Sequence, residues 1–211
     1  DVISRDDGIK LLRKIEWIGR ISHRSEGAQT EDSWERFLTS VVLGHGDYSI
    51  IEHASVTVDA VVDRGITHEW VRHRLGAYTQ ESTRFVNLEK KGLLRFIKPP
   101  IVDKEGVGLQ EMWERDAIAH AEYMYQELLS YGESPQIARS VLPNALASRL
   151  ICTFNLRMWR HFFLMRTTKE THPQFREVTL PLLEEFKVKI PLLYDDITPL
   201  AKQSENLRKA R

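Results

Sequence analysis

Residues 55–62 read Ser55-Val56-Thr57-Val58-Asp59-Ala60-Val61-Val62, and two positions on the chain continues Arg64-Gly65-Ile66-Thr67-His68-Glu69-Trp70-Val71-Arg72-His73-Arg74. In the first stretch Val56, Val58, Ala60 and Val62 alternate with Ser55, Thr57, Asp59 and Val61, the two-residue repeat of a half-buried strand. In the second, Ile66, Trp70 and Val71 return to helical spacing, which predicts a helix from Arg64 to Leu75 with Gly76 as its stop. A change of period within so few residues places a run of cations at a helix end, with a polar loop after it.

Outward from this point the apolar spacing is mostly helical. Ile9, Leu12, Ile15 and Ile18 behind Asp6 and Asp7 predict a first helix with an acidic start suited to its dipole. Trp34, Phe37, Leu38, Val41 and Val42 predict a second, stopped near Gly44 and Gly46. Downstream, Leu93 to Ile97 reads as a strand closed by Pro99 and Pro100, and residues 87–108 are otherwise loop-like. Leu109 to about Gly132 reads as a long helix, and Ser134-Pro135 opens a short one that carries Arg139. Arg149 to Phe154 reads as strand, and Asn155 caps a helix to about Arg166. Pro173 begins the last main helix, with Phe175, Val178, Leu182 and Phe186 expected on its inner side.

The 211 residues suffice for one substantial core, and no linker-like stretch divides them, so one domain over residues 1–211 is expected. Thirty basic and thirty acidic residues cancel, which argues against a surface built for nucleic acid or an anionic membrane. Apolar runs break well short of about 18 residues. Phe162 to Met165, for instance, is closed by His161 and Arg166. The opening residues lack a basic start leading into an apolar segment, and the missing initiator Met reads as a trimmed start. A soluble, cytoplasmic protein without a signal peptide is the expectation. The single cysteine, Cys152, excludes an internal disulfide and fits a reducing compartment.

Function is concentrated in Arg72 to Arg84, where Arg72-His73-Arg74 is followed by the small polar run Tyr78-Thr79-Gln80-Glu81-Ser82-Thr83 and by Arg84. Guanidinium forks match phosphate and carboxylate geometry, and hydroxyl and amide groups orient a polar heterocycle, so a nucleotide-like ligand fits. Other chemistries lack their motif. His68 and His73 stand one residue too far apart for a zinc-protease pair, roughly 140° round a helix, and no metal site is expected. No Gly-rich phosphate loop follows a predicted strand. The apolar surroundings of Cys152 favour a buried, inert thiol. Ser82 has no neighbouring Ser/His/Asp arrangement to activate it, which leaves binding or loop capping rather than nucleophilic attack.

The triplet Arg72-His73-Arg74, seven further residues and Ser82, with Arg84 beyond, resembles the defining motif of the flavin-dependent thymidylate synthases. The segment His45 to His53 is similar to the part of that family upstream of the motif. Ala138 to Pro143, Asn155-Leu156-Arg157 and Arg166 follow in the family's order, so the likeness runs from about residue 40 to about 180. The resemblance implies an α+β fold with helices packed around a small antiparallel sheet, and a homotetramer with active sites at subunit junctions. It implies FAD as bound cofactor and conversion of dUMP to dTMP, with methylenetetrahydrofolate as one-carbon donor and NADPH as reductant through the flavin.

Residue by residue, the resemblance assigns Ser49, Arg72, His73, Arg74, Gln80, Asn155, Arg157 and His161 to FAD. It assigns Glu69, Arg72, Gln80, Glu81, Ser82, Thr83, Arg84, Arg139 and Arg166 to dUMP, and makes Arg166 the catalytic residue. Arg166 shares a helical face with Asn155, Trp159 and Phe162, so a cation ends an otherwise largely apolar stripe; the plain alternative is an arginine snorkelling to water. Two other function classes stay open at this point. One is a related flavoenzyme acting on another pyrimidine nucleotide or transferring another one-carbon group; the other is a non-enzymatic nucleotide or nucleic-acid binding protein.

Overall fold

Ser4 opens the first helix, α1 (Arg5–Ile21), with a capping box in which its hydroxyl accepts from the Asp7 N–H (3.1 Å) and its own N–H donates to the Asp7 carboxylate (3.2 Å). Two donors that the helix cannot satisfy internally are thereby paired. The computed structural model describes residues 2–101 and 106–208, so the loop reading of residues 87–108 falls partly outside the described residues. On α1, Leu12 and Ile15 are fully buried, and so is Glu16, whose carboxylate is held by Arg20 (2.7 Å), the Ser33 hydroxyl (2.6 Å) and the Gln29 amide (3.1 Å). A buried charge is tolerable here because it is paired and hydrogen-bonded. The second helix, α2 (Ser33–Leu38), widens into a π-helical turn at Thr39–Gly44, where the Thr39 hydroxyl donates back to the Glu35 carbonyl (2.7 Å).

A short 3-10 turn, Tyr48–His53, leads into β1 (Ser55–Asp63), whose alternating burial follows the predicted two-residue repeat. After β1 come α3 (Arg64–Trp70) and β2 (Ala77–Gln80). The predicted long helix is α4 (Leu109–Met112), a π-helical stretch at Trp113–Ile118 and α5 (Ala119–Ser130). Next is α6 (Pro135–Ala138), extended by a 3-10 turn at Arg139–Val141 that carries Arg139. Then follow β3 (Ala147–Asn155), α7 (Leu156–Arg166), α8 (Pro173–Lys189) and α9 (Gln203–Arg208).

The strands form one sheet in the order β1-β3-β2. Opposite β1, residue numbers on β3 fall as those on β1 rise: Leu156 N–H bonds to the Ala54 carbonyl (2.9 Å), the Thr57 and Thr153 hydroxyls meet (2.8 Å), and Arg64 N–H bonds to the Leu146 carbonyl (3.1 Å). Such pairing is antiparallel. On the other side of β3, Tyr78 stands beside Cys152 and Glu81 N–H bonds to the Arg149 carbonyl (2.9 Å), again antiparallel. The α+β class and the small antiparallel sheet are thus as the resemblance implied.

The chain gathers into two compact units, one made of the residues up to Thr57 together with those from Thr153 onward, the other of Val58–Cys152. In the first, Phe154, Trp159, Phe162, Phe163, Phe175, Phe186 and Tyr194 interlock, with Trp159 and Phe162 edge to face at 5.4 Å and Phe163 and Phe186 at 5.0 Å. Tilted and edge contacts suit the ring quadrupoles, and each fully buried ring contributes roughly 1.5–3 kcal/mol of transfer free energy. In the second, Leu88, Tyr125, Ala138 and Leu146 form a smaller cluster.

Three readings are corrected. Leu93–Ile97 is not a strand: Phe96 makes one bridge to Leu146, while Leu93 and Leu94 pack against the Leu88 and Tyr125 cluster. Helix α3 stops at Trp70 rather than Leu75. On α8 the buried positions are Gln174, Phe175, Thr179, Leu183 and Phe186, so the inner face lies one residue round from the Val178 and Leu182 edge, which is half-buried.

Candidate active site

The early end of α3 shapes the cationic triplet. Its last turn is tightened by bonds from Val71 N–H to the Thr67 carbonyl (3.0 Å), Arg72 to Glu69 (3.3 Å) and His73 to Trp70 (3.0 Å). The Tyr78 hydroxyl then reaches back to the carbonyls of Trp70 (3.1 Å) and His73 (2.5 Å), capping the helix end in place of further backbone amides. Leu75, not Gly76, takes the left-handed conformation (φ 68) that turns the chain into β2. As a result His73 is buried while Arg72 and Arg74 are exposed. Burial and the adjacent Cys152 raise the Tyr78 phenol, so it stays protonated, able to donate, throughout the physiological range. Burial pushes the Cys152 thiol up to about 12 despite hydrogen bonds with Trp70 and Tyr78, which makes it the inert residue expected.

The polar run after the triplet is held in the same unit. Gln80, at the end of β2, donates its side-chain amide to the hydroxyls of Thr67 (3.0 Å) and Ser148 (3.1 Å). Glu81 lies against the Arg149 backbone. The Ser82 hydroxyl accepts from the Arg84 N–H (3.2 Å), the loop-capping geometry. Buried Thr83 accepts from the Arg139 guanidinium (3.0 Å), which brings the loop and the turn after α6 together. Arg84 is exposed, its guanidinium 5.0 Å from the Phe85 ring centroid. Arg64, at the start of α3, feels the charge of Arg139; burial and that charge hold it below the ordinary arginine value. Glu69 is half-buried on α3.

The remaining assigned residues belong to the other unit. Asn155 caps α7, its side-chain oxygen accepting from the Met158 N–H (2.8 Å), which leaves its amide nitrogen as the group it can offer a ligand. Arg157 pairs with Glu52 (2.5 Å), both side chains exposed, and Ser49 is exposed on the turn that carries Glu52. One turn on, His161 is exposed at its surface, and the partial shielding around it together with the Arg166 charge pushes its imidazole below the usual value. Arg166 ends the stripe of Trp159 and Phe162 and is half-buried, its guanidinium 5.4 Å from the Phe175 ring centroid. Its carbonyl accepts from the Thr179 hydroxyl (2.7 Å), so α8 fixes the last turn of α7. An arginine anchored over an aromatic ring differs from one snorkelling freely to water.

Among the described residues no group of three or more His, Cys, Asp or Glu side chains is arranged to hold a metal ion, and no helix is long and apolar enough to cross a membrane. Sequence reasoning passed over Tyr78, whose importance lies in carbonyls eight and five residues upstream, and Arg64, a cation at the wrong end of a helix dipole.

A small α+β protein that mounts arginines, hydroxyls and amides on one loop and one helix end has the chemistry of the enzymes that take anionic, heterocyclic ligands. The chain belongs to the family described as thymidylate synthase complementing protein, whose model matches residues 10–192. It is similar to the flavin-dependent thymidylate synthase of Pyrococcus furiosus, 33% identical over 198 residues that cover 90% of this chain and 78% of that protein. The enzyme of the same name from Pyrococcus abyssi is 34% identical over 181 residues, covering 82% and 73%. That from Thermococcus kodakarensis is 30% identical over 200 residues, covering 92% and 79%.

Proposed function

We propose that this protein is a flavin-dependent thymidylate synthase, methylating dUMP to dTMP with methylenetetrahydrofolate as one-carbon donor and NADPH as reductant. The observation that carries this reading is the match of the family over residues 10–192, with the Arg72 to Arg84 motif inside it. FAD would supply the redox chemistry that passes reducing power from NADPH to the one-carbon unit.

The donor set suits the two anionic ligands. FAD brings a pyrophosphate, for which exposed Arg72 and Arg74, with Ser49, His73, Gln80, Asn155, Arg157 and His161, are the binding residues. A neutral imidazole at His161, favoured by its depressed proton affinity, adds no further charge and can still accept or donate a hydrogen bond. For dUMP the residues are Glu69, Arg72, Gln80, Glu81, Ser82, Thr83, Arg84, Arg139 and Arg166. The Arg139–Thr83 bond fixes one cation and one hydroxyl of that set before ligand arrives, which lowers the ordering cost of binding. Arg166 is the catalytic residue: its guanidinium lies over Phe175 and its backbone is anchored by Thr179, and a positive charge so placed favours anionic character in the pyrimidine ring as its carbon becomes nucleophilic.

Residues 1–211 act as one domain of a homotetramer, in the cytoplasm, with small-molecule substrates and no nucleic-acid or membrane partner. Oxidation of NADPH by the flavin-loaded protein tests the reading. A rate that rises on adding dUMP is expected; a purified protein that holds no flavin overturns it.

A further inference from the structure

Arg160 lies on α7 between Arg157 and His161, both exposed and both assigned to flavin, yet Arg160 itself is 3% exposed. Its guanidinium fork donates to both carboxylate oxygens of Asp196 (2.6 and 2.5 Å) and to the Leu193 carbonyl (2.7 Å). It also lies over the Tyr48 ring, 5.4 Å from the centroid. The family match ends at residue 192, so Leu193 and Asp196 fall beyond it. Between them Tyr194 is fully buried and donates its hydroxyl to the Leu156 carbonyl (3.2 Å), at the start of the same helix.

A buried ion pair is a poor source of stability, because withdrawing both charges from water offsets most of their attraction. What a bidentate pair supplies is geometry, since the planar fork takes a carboxylate in one orientation. Here the fixed guanidinium reaches the flavin-assigned residues through Tyr48, which opens the turn Tyr48–His53 and is followed by Ser49. The far end of that turn is pinned by the Lys14 ammonium on the His53 carbonyl (3.0 Å) and by the Leu156 N–H on the Ala54 carbonyl (2.9 Å). Toward its middle the Arg157–Glu52 pair is exposed on both sides, and surface pairs of that kind fix little. The near end meets α7 through the contact of Tyr48 with Arg160, and a guanidinium over a ring is stronger out of water than in it.

We propose that Arg160 is a positioning residue of the flavin site: braced by Asp196 and the Leu193 carbonyl, it holds Tyr48, and with it Ser49, in register with Asn155, Arg157 and His161 on α7. The flavin part rests on the synthase reading above; the bracing of the turn stands on the contacts of Arg160.

The test compares wild type with the Arg160→Met/Asp196→Leu double variant, which removes both charges together and leaves neither buried alone. Thermal melting within about 4 °C of wild type shows that the fold is kept. Two readouts that a purely structural pair would not move then decide: amide hydrogen exchange of residues 48–53, and the FAD dissociation constant from fluorescence quenching. Loss of a desolvated guanidinium–ring contact predicts exchange about fivefold or more faster and FAD binding about fivefold or more weaker. Arg160→Lys, which keeps the charge without the fork, recovers part of both losses, and it is judged by the same ratios if the double variant does not fold. Exchange within about twofold of wild type, or faster exchange with unchanged FAD affinity, overturns the proposal while leaving the synthase reading intact. If wild type holds no flavin, that reading fails instead. The brace is then judged by exchange alone, faster in the variant if it holds and unchanged if it does not.

Discussion

At the scale of single residues, position matters more than type. Arg166 and Arg157 both lie on α7, but Arg157 is exposed and paired with Glu52, whereas Arg166 is half-buried over Phe175. Of the two, Arg166 has its charge set against an aromatic ring, the feature on which its proposed catalytic role rests. Arg166→Ala is expected to lower turnover by about a hundredfold or more, as loss of a preorganised charge does, while retaining bound flavin; steady-state rates beside flavin absorbance check both halves. Cys152 makes the opposite point. With its thiol pushed up to about 12 by burial, it should resist alkylation in the native protein at pH 8 and react only after denaturation. The sign for stability follows: folded and unfolded thiols are both neutral below the ordinary value near 9, and above it only the unfolded chain ionises, so stability falls as pH rises from 9 towards 12. The place of Arg166 at the end of a helix capped by Asn155 is legible in the sequence, and so is the burial of Cys152 from its apolar neighbours. The effect of the Arg139 charge on Arg64 is not legible there, because the two lie far apart in the chain.

At the scale of elements, the helix before the cationic triplet is read correctly in kind and wrongly in length, and the stretch after it, read as loop, opens with the short strand β2. Periodicity carries α3 to Leu75 because Val71 and Leu75 keep helical spacing; it ends at Trp70, where the last turn tightens with His73 N–H on the Trp70 carbonyl and the Tyr78 hydroxyl reaches the carbonyls of Trp70 and His73. A long-range cap of this kind leaves no trace in local propensity. By contrast the Asn155 cap, with its bond to the Met158 amide three residues on, is a local device and was legible. Tyr78→Phe removes the phenol donor shared by the Trp70 and His73 carbonyls, while the Trp70 carbonyl keeps the His73 N–H. The expected result is a loss of about 1–2 kcal/mol in urea denaturation and a several-fold weaker flavin, read by fluorescence quenching. Unchanged flavin affinity would separate the turn from the cofactor site.

At the scale of the whole molecule, the class of fold followed from the resemblance, and the residues bear it out through the alternation of β1, the buried positions of β3 and the aromatic spacing of α7 and α8. What periodicity missed was the exact inner face of α8, since Thr179 turns inward to hold the Arg166 carbonyl and displaces the apolar stripe by one residue. The aromatic cluster couples this scale to the smallest, because Phe163 packs on Trp159, Phe162, Phe186 and Tyr194 at 5.0–5.8 Å. Phe163→Ala should cost about 3–5 kcal/mol by chemical denaturation, with local relaxation around Arg166 lowering activity as well. The loop, the helix end and the flavin are proposed to serve one reaction on one nucleotide. The most direct test is product analysis of the purified protein incubated with FAD, NADPH, dUMP and methylenetetrahydrofolate. dTMP is expected only when all of them are present; a flavin-loaded protein that forms no dTMP in the complete mixture is not a thymidylate synthase.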